Sequence, residues 1–202
     1  MDRRAFVTLM GGSILARPLA AEAQPPPKVA KIGLLTPSSP AGSGHLVEAF
    51  RQGFRQLGYI EGQTFVLQTR YGDGKSERLA DLARELVRWK ADVIVTSTDV
   101  ATAAVRRQTR TMPIVMALST DPVGTGFVAS LARPGGNVTG LAYGVAVETI
   151  GKGLELLNEA VPKIRRVAVL SNPANPGTLL ATKDVNAAAR SQRRHSSQVP
   201  TA

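Results

Sequence analysis

Hydroxyl side chains gather at three places in this sequence: Ser38-Ser39, Thr96-Ser97-Thr98, and Ser119 followed by Asp121-Pro122. Each group follows a β-type run and precedes a helical pattern or a turn. Serine and threonine both donate and accept hydrogen bonds, so such clusters suit reversible capture of a small polar molecule. Free backbone N–H groups at the helix starts, aided by the helix dipole, favour a carboxylate or another anion there. Asp99 and Asp121 stand at strand ends, where a carboxylate can hold a ligand amine or cap a helix. The same residue types are common N-caps and turn formers, so position in the fold has to decide between the two roles.

Residues for bond-making chemistry are missing from the pattern. His45 and His195 are the only histidines, and neither has metal-ligand spacing to another candidate. There is no cysteine, which excludes disulfides, thiolate metal sites, a cysteine nucleophile and a lipidated cysteine. No nucleophile elbow, phosphate loop or dinucleotide glycine fingerprint is present. The expectation is therefore a binding protein, not an enzyme, with no metal and no cofactor. Asn137-Val138-Thr139 matches a glycosylation sequon and is read as a turn-to-strand junction.

The net charge of +10 invites a nucleic-acid reading, but its distribution argues against one. Basic residues are scattered over several helical faces, with local pairs at Arg106-Arg107 and Arg165-Arg166, instead of forming one stripe. Aromatic residues make up only 4% of the chain, which leaves little material for base stacking. The expected partner is a small-molecule ligand, with no nucleic acid and no stable membrane insertion.

The elements that must position these residues alternate regularly. Val29–Leu35 is a strand, followed by a helix with Leu46, Phe50, Phe54 and Leu57 as its apolar stripe and Gly58 as its stop. Thr64–Tyr71 alternates as a second strand, and the helix opened by Ser76 buries Leu79, Leu82, Ala83, Leu86 and Val87. Asp92–Thr96, Pro113–Leu118 and Asn137–Leu141 are further strands, the helix after Asp99 buries Ala101, Ala104 and Val105, and a short helix is expected over Gly126–Ala132. This order predicts an α/β fold with a parallel sheet covered by helices, whose ligands sit beyond the carboxyl ends of the strands. A second α/β unit begins at residue 143, with a long helix carrying Ile150, Leu154, Leu157 and Val161. A strand at Arg166–Leu170, the turn Ser171-Asn172-Pro173 and a helix from Pro176 to about Arg190 follow. One strand and two helices are too little to bury a sheet. The polar, basic stretch 191–202 is expected to be a disordered tail.

Several strings resemble one family. Phe50-Arg51-Gln52-Gly53-Phe54-Arg55-Gln56-Leu57-Gly58-Tyr59 with Glu61-Gly62-Gln63 is similar to the first helix and turn of ABC transporter substrate-binding proteins related to tryptophan- and tyrosine-binding members. Asp121-Pro122-Val123-Gly124, the run from Ser130 to Gly140, and Arg166–Leu170 with Asn172-Pro173 resemble further signatures of that group. The resemblance implies a two-lobed, type I periplasmic-binding fold that closes on a small solute, such as an amino acid, and presents it to an ABC permease in the inner membrane. It implies that Ser38, Ser39, Thr96, Ser97, Thr98, Ser119, Asp121 and Pro122 form the first lobe's share of the cleft. Asn172 and Pro173 would begin the second lobe's share. A ligand sensor or interaction module outside transport is the alternative use of such a lobe. Members of the family continue much further, so the second lobe is expected to be incomplete, with a truncation near Arg190.

Residues 1–23 have the order of a cleavable signal peptide. Arg3 and Arg4 form the basic region, Ala5–Leu15 a short apolar stretch, and Ala21-Glu22-Ala23 the cleavage signal. The paired arginines resemble a twin-arginine export signal. An apolar run this short falls below the roughly 20 residues a membrane span needs. The expected organisation is therefore a signal at 1–23, a first lobe at 24–142, the start of a second at 143–190 and a tail beyond. The expected location is the periplasm, with the mature chain soluble and not lipid-anchored.

Overall fold

A computed structural model describes residues 28–143, 147–161, 164, 166–170 and 172–196. Residues 1–23, expected to form a signal peptide, lie outside the described residues. Five strands, β1 (Ala30–Thr36), β2 (Phe65–Tyr71), β3 (Val93–Thr96), β4 (Ile114–Ser119) and β5 (Val138–Ala142), form one sheet in the order β2-β1-β3-β4-β5. Every pairing is parallel. Their β-branched and alternating runs made them legible to within about a residue at each end.

The strands' alternation explains the two-sided core. Ile32 and Leu34 of β1 point to one face, where Val47, Phe65 and Val95 join them; Leu35, Ile94, Ile114 and Met116 occupy the other. The larger cluster is closed by helix α2 (Leu79–Arg88) and helix α3 (Asp99–Gln108). Leu79, Leu82, Ala83 and Leu86 of α2 are buried, as their spacing predicts, and a 3-10 turn over Ser76–Arg78 leads into the helix. Gly33 sits directly beneath α2: a Cβ there would stand 3.2 Å from both methyls of Leu86. Its bare backbone lets the helix approach the sheet closely.

Helix α1 (Pro40–Gln56) covers the other face, but not with the stripe expected. Ser43 and Val47 are buried and Phe50 and Phe54 pack against the core, whereas Leu46 and Leu57 are exposed. The helix begins at Pro40, directly after its N-cap Ser39. His45 consequently lies within the helix. Tyr59 donates its N–H to the Phe54 carbonyl at 3.0 Å and Gly58 to Arg55 at 3.0 Å, the paired bonds of a Schellman ending. Gly58 has φ +83°, which glycine adopts without a steric penalty.

Three further expectations are corrected. Residues 126–132 form successive turns, not a helix, because Phe127 and Val128 both donate to the Pro122 carbonyl and Ala129 donates to Pro134 at 2.8 Å. Arg166–Leu170 is not in a strand: among the described residues it has no ladder partner, and Val167, Val169 and Leu170 are exposed. The last helix, α5 (Pro176–Ser196), continues six residues past Arg190 into the stretch expected to be disordered. It packs against α4 (Val147–Ala160). Leu154 and Leu157 of α4 are half-buried and Val161 is exposed. Among the described residues, no helix is long and apolar enough to cross a membrane.

Candidate functional site

In the order β2-β1-β3-β4-β5 the chain leaves β1 toward one edge and returns past it to β3. The carboxyl ends of β1 and β3 therefore flank the switch point, where open parallel sheets bind ligands. Ser38-Ser39 follows β1 and Ser97-Thr98 follows β3, so the topology brings two of the three hydroxyl groups side by side. Ser97 N–H donates to the Leu35 carbonyl at 3.2 Å, which ties the two strand ends together. Ser119 ends β4, the next strand along.

The individual hydroxyls are used differently. Ser39 is the N-cap of α1, its Oγ accepting the Gly42 N–H at 3.2 Å. Thr98 is the N-cap of α3 and accepts from Ala101 at 3.4 Å. Ser38 is half-buried, and a Cβ on Gly42 would fall 2.5 Å from its Oγ, so glycine leaves that hydroxyl its place above the first turn of α1. Thr96 is fully buried and pairs with Thr102 Oγ1 at 2.7 Å, inside the sheet–helix interface. Asp121 Oδ1 accepts the Gly124 N–H at 2.7 Å, and the buried Pro122 supplies a carbonyl to the same set of turns.

Among the described residues, Ser97 Oγ, Ser119 Oγ and Asp99 Oδ1 at these strand ends, and Thr69 Oγ1 within β2, are shut off from solvent and meet no hydrogen-bond partner. Buried polar atoms are nearly always satisfied, so three orphans on two neighbouring strand ends call for a missing partner. Asp99 is the first residue of α3; its Oδ2 accepts the Thr120 N–H at 3.3 Å. The start of α5 closes over it, because a Cβ on Gly177 would stand 3.2 Å from that same oxygen. Tyr143, after β5, donates its N–H to the Ser119 carbonyl at 3.0 Å, and its hydroxyl accepts from Thr120 Oγ1 at 3.4 Å.

Beyond α4, Asn172 and Pro173 are exposed. Asn172 Oδ1 accepts from Ala174 N–H at 2.9 Å, shaping the turn that delivers Gly177 to Asp99. Thr120, Tyr143 and Gly177 carry no local sequence signal for this site; only the sheet order and the turn before α5 bring them to it. Among the described residues no group of three or more His, Cys, Asp or Glu side chains could hold a metal ion.

A hollow of about 450 Å³ lies elsewhere, lined by Arg51, Arg55, Tyr59, Ile60, Glu61 and Phe65. It opens near the start of β2, at the opposite end of the sheet from the switch point. Its charged groups are already paired, Arg51 with Glu61 at 2.9 Å and Arg55 with Glu48 at 2.7 Å. The hydrogen bond from Arg55 holds the Glu48 carboxyl below its ordinary pKa. The strand ends, with orphaned polar atoms, have the stronger need for a ligand.

The fold has counterparts among known proteins. The chain is 29% identical over 125 residues to a tyrosine-binding protein of Clostridioides difficile, covering 62% of this chain and 35% of that protein. A conserved domain protein from Vibrio cholerae superposes with a TM-score of 0.72 and 27% identity, over 82% of this chain and 55% of that one. An ABC domain from Streptococcus pneumonia, solved in complex with L-Trp, has the same fold with a TM-score of 0.70 and 24% identity, over 81% of this chain and 54% of the other. The chain thus spans about half the length of these solved structures and about a third of the tyrosine-binding protein. The model of the family described as ABC transporter substrate binding protein matches residues 31–192, from β1 into α5. Substrate-binding proteins of this family are non-catalytic components of transporters. With the parallel sheet, the switch-point site and that match in hand, the chain belongs to the ABC transporter substrate-binding protein family.

Proposed function

We propose that this protein binds a small polar solute, such as an amino acid, in a cleft between the strand ends of the first unit and the start of the second. In this reading it is the solute-binding component of an ABC importer. Residues 1–23 direct export, and the mature chain works in the periplasm beside an inner-membrane permease. The observation that carries the reading is the set of buried, unpartnered polar atoms on Ser97, Asp99 and Ser119 at the switch point of the sheet. Ser38 adds a hydroxyl at the facing end of β1. Ser39 and Thr98 set the helix starts, Thr96 holds α3 to the sheet, and Asp121-Pro122 and Asn172-Pro173 shape the surrounding turns.

The names of the relatives make aromatic amino acids the first solutes to test. Helix α1 offers its N-terminus to a carboxylate, since its first turn contains no acidic residue to occupy that end of the dipole. Thermal unfolding of the chain with each proteinogenic L-amino acid tests the proposal. A solute that binds only the native state raises the midpoint, by about 2.7 kcal/mol of stability at 100 times its Kd. A rise with one or a few amino acids supports the reading, and a flat response across the whole set overturns it.

A further inference from the structure

Asp99 is only 3% exposed, yet half of its carboxylate is unused. Capping does not account for it, because Thr98 already caps α3. An ion pair does not account for it either: among the described residues, none of the salt bridges includes Asp99. Its Oδ2 is held by the Thr120 N–H, and α5 closes over the same oxygen at Gly177. Among the described residues, Oδ1 is left buried with nothing to accept from. A carboxylate oxygen in that state is strongly destabilising unless a donor arrives, and a charged donor compensates best.

The surroundings sharpen which donor. Ser97 precedes Asp99 by two residues on the same loop, and Ser119 precedes the Thr120 that holds Asp99 in place. Their hydroxyls are also buried without a partner among the described residues. A primary ammonium carries three N–H donors and one positive charge, which matches one anionic acceptor and two hydroxyl acceptors on neighbouring strand ends. Asp99 also places a negative charge at the N-terminus of α3, so this helix start is already supplied with an anion. The start of α1, by contrast, has no acidic residue in its first turn.

We propose that Asp99 selects solutes bearing a primary ammonium group, with Oδ1 as the anionic acceptor. The inference rests on the solute-binding reading above and assigns it a specificity residue. It is tested on the full chain by thermal shift and calorimetry with three sets of probes. These are L-tyrosine and L-tryptophan; their des-amino counterparts 3-(4-hydroxyphenyl)propanoate and indole-3-propanoate; and the amines tyramine and tryptamine. The parent amino acids are expected to stabilise the wild-type chain and the des-amino acids to fail. The amines, which keep the ammonium, are expected to retain measurable binding. Asp99→Asn is expected to unfold cooperatively and to bind the amino acids about 10- to 100-fold more weakly, the loss of one charged hydrogen bond. Des-amino acids that stabilise the wild type as well as their parents overturn the inference and leave the solute-binding reading standing. Unchanged affinity in a folded Asp99→Asn chain does the same. A flat response to every probe overturns the inference, and one that extends to every proteinogenic L-amino acid overturns the solute-binding reading with it. The wild-type comparison needs no variant, so a failure of Asp99→Asn to fold leaves the test intact.

Discussion

Thr96, at the end of β3, and Thr102, in the first turns of α3, hold their hydroxyls 2.7 Å apart with both residues fully buried. Thr102 gives its proton to the Thr98 carbonyl at 3.0 Å, so the bond between the two side chains carries the proton of Thr96. The pair ties the helix that presents Asp99 to the strand that presents Ser97. It positions the site from behind while remaining out of reach of a solute. Thr102→Val strands the Thr96 hydroxyl without its acceptor and is expected to cost about 1–3 kcal/mol in urea unfolding. Thr96→Val with Thr102→Val is expected to cost less than the sum of the single changes, since the stranded hydroxyl is then gone as well. Additive losses would contradict the pairing.

The edge of the sheet depends on a contact only glycine permits. Gly140 pairs with Met116 across β4 and β5 and has φ +145°. A Cβ there would fall 2.1 Å from the Met116 carbonyl oxygen and 2.6 Å from its nitrogen, both backbone atoms of the neighbouring strand. Gly140→Ala is expected to destabilise the chain by at least about 2 kcal/mol, measured by denaturant unfolding. A change near zero would mean that β5 does not run in this register.

Two leucines that look alike in sequence differ in what they support. Leu86 is fully buried between α2 and β1, and Leu86→Ala is expected to cost about 2–5 kcal/mol. Leu46 is 60% exposed on α1, and Leu46→Ala is expected to stay within about 0.5 kcal/mol. Equal losses at the two sites would place Leu46 on the buried face of its helix.

These contrasts show where sequence reading succeeds and where it stops. Leu79, Leu82, Ala83 and Leu86 were legible because a long, pure apolar stripe admits one orientation of the helix. The stripe of α1 was misread because Ser43 fills a core position that residue type did not advertise, while Leu46 and Leu57 satisfied the same spacing from the solvent side. The three hydroxyl clusters were legible as strand-end residues. Which of them keep free atoms was not, because that depends on partners such as Thr102, Gly124 and Thr120, fixed only once the chain folds. The orphaned oxygen of Asp99 belongs to the same class, its neighbour Thr120 being 21 positions away.

Asp92 supplies a pH-dependent clasp at the foot of the sheet. Its carboxylate accepts from Lys28 Nζ and from the Lys31 N–H at 2.8 Å, joining the start of β3 to the start of β1. The Lys28 side-chain bond, then the Lys31 backbone bond, hold its pKa below the ordinary carboxylate value. A lowered folded pKa means that the stabilisation is complete above the unfolded value of about 3.9 and is lost as pH falls through the folded one. NMR titration is expected to find the Asp92 carboxyl below that value in the wild type and closer to it in Lys28→Ala. An ordinary pKa in the wild type would contradict the clasp.

In the proposed function a solute enters at the β1/β3 switch point and is held by the strand ends. Amide chemical-shift mapping of the full chain, titrated with the amino acid that raises its unfolding midpoint most, tests this directly. The expected result is a compact set of shifted amides at Ser38, Ser39 and Ala41, Ser97 to Ala101, and Ser119 and Thr120, with Gly177 joining them from α5. Shifts confined to the hollow around Arg51, Tyr59 and Ile60, with the strand ends unmoved, would contradict it.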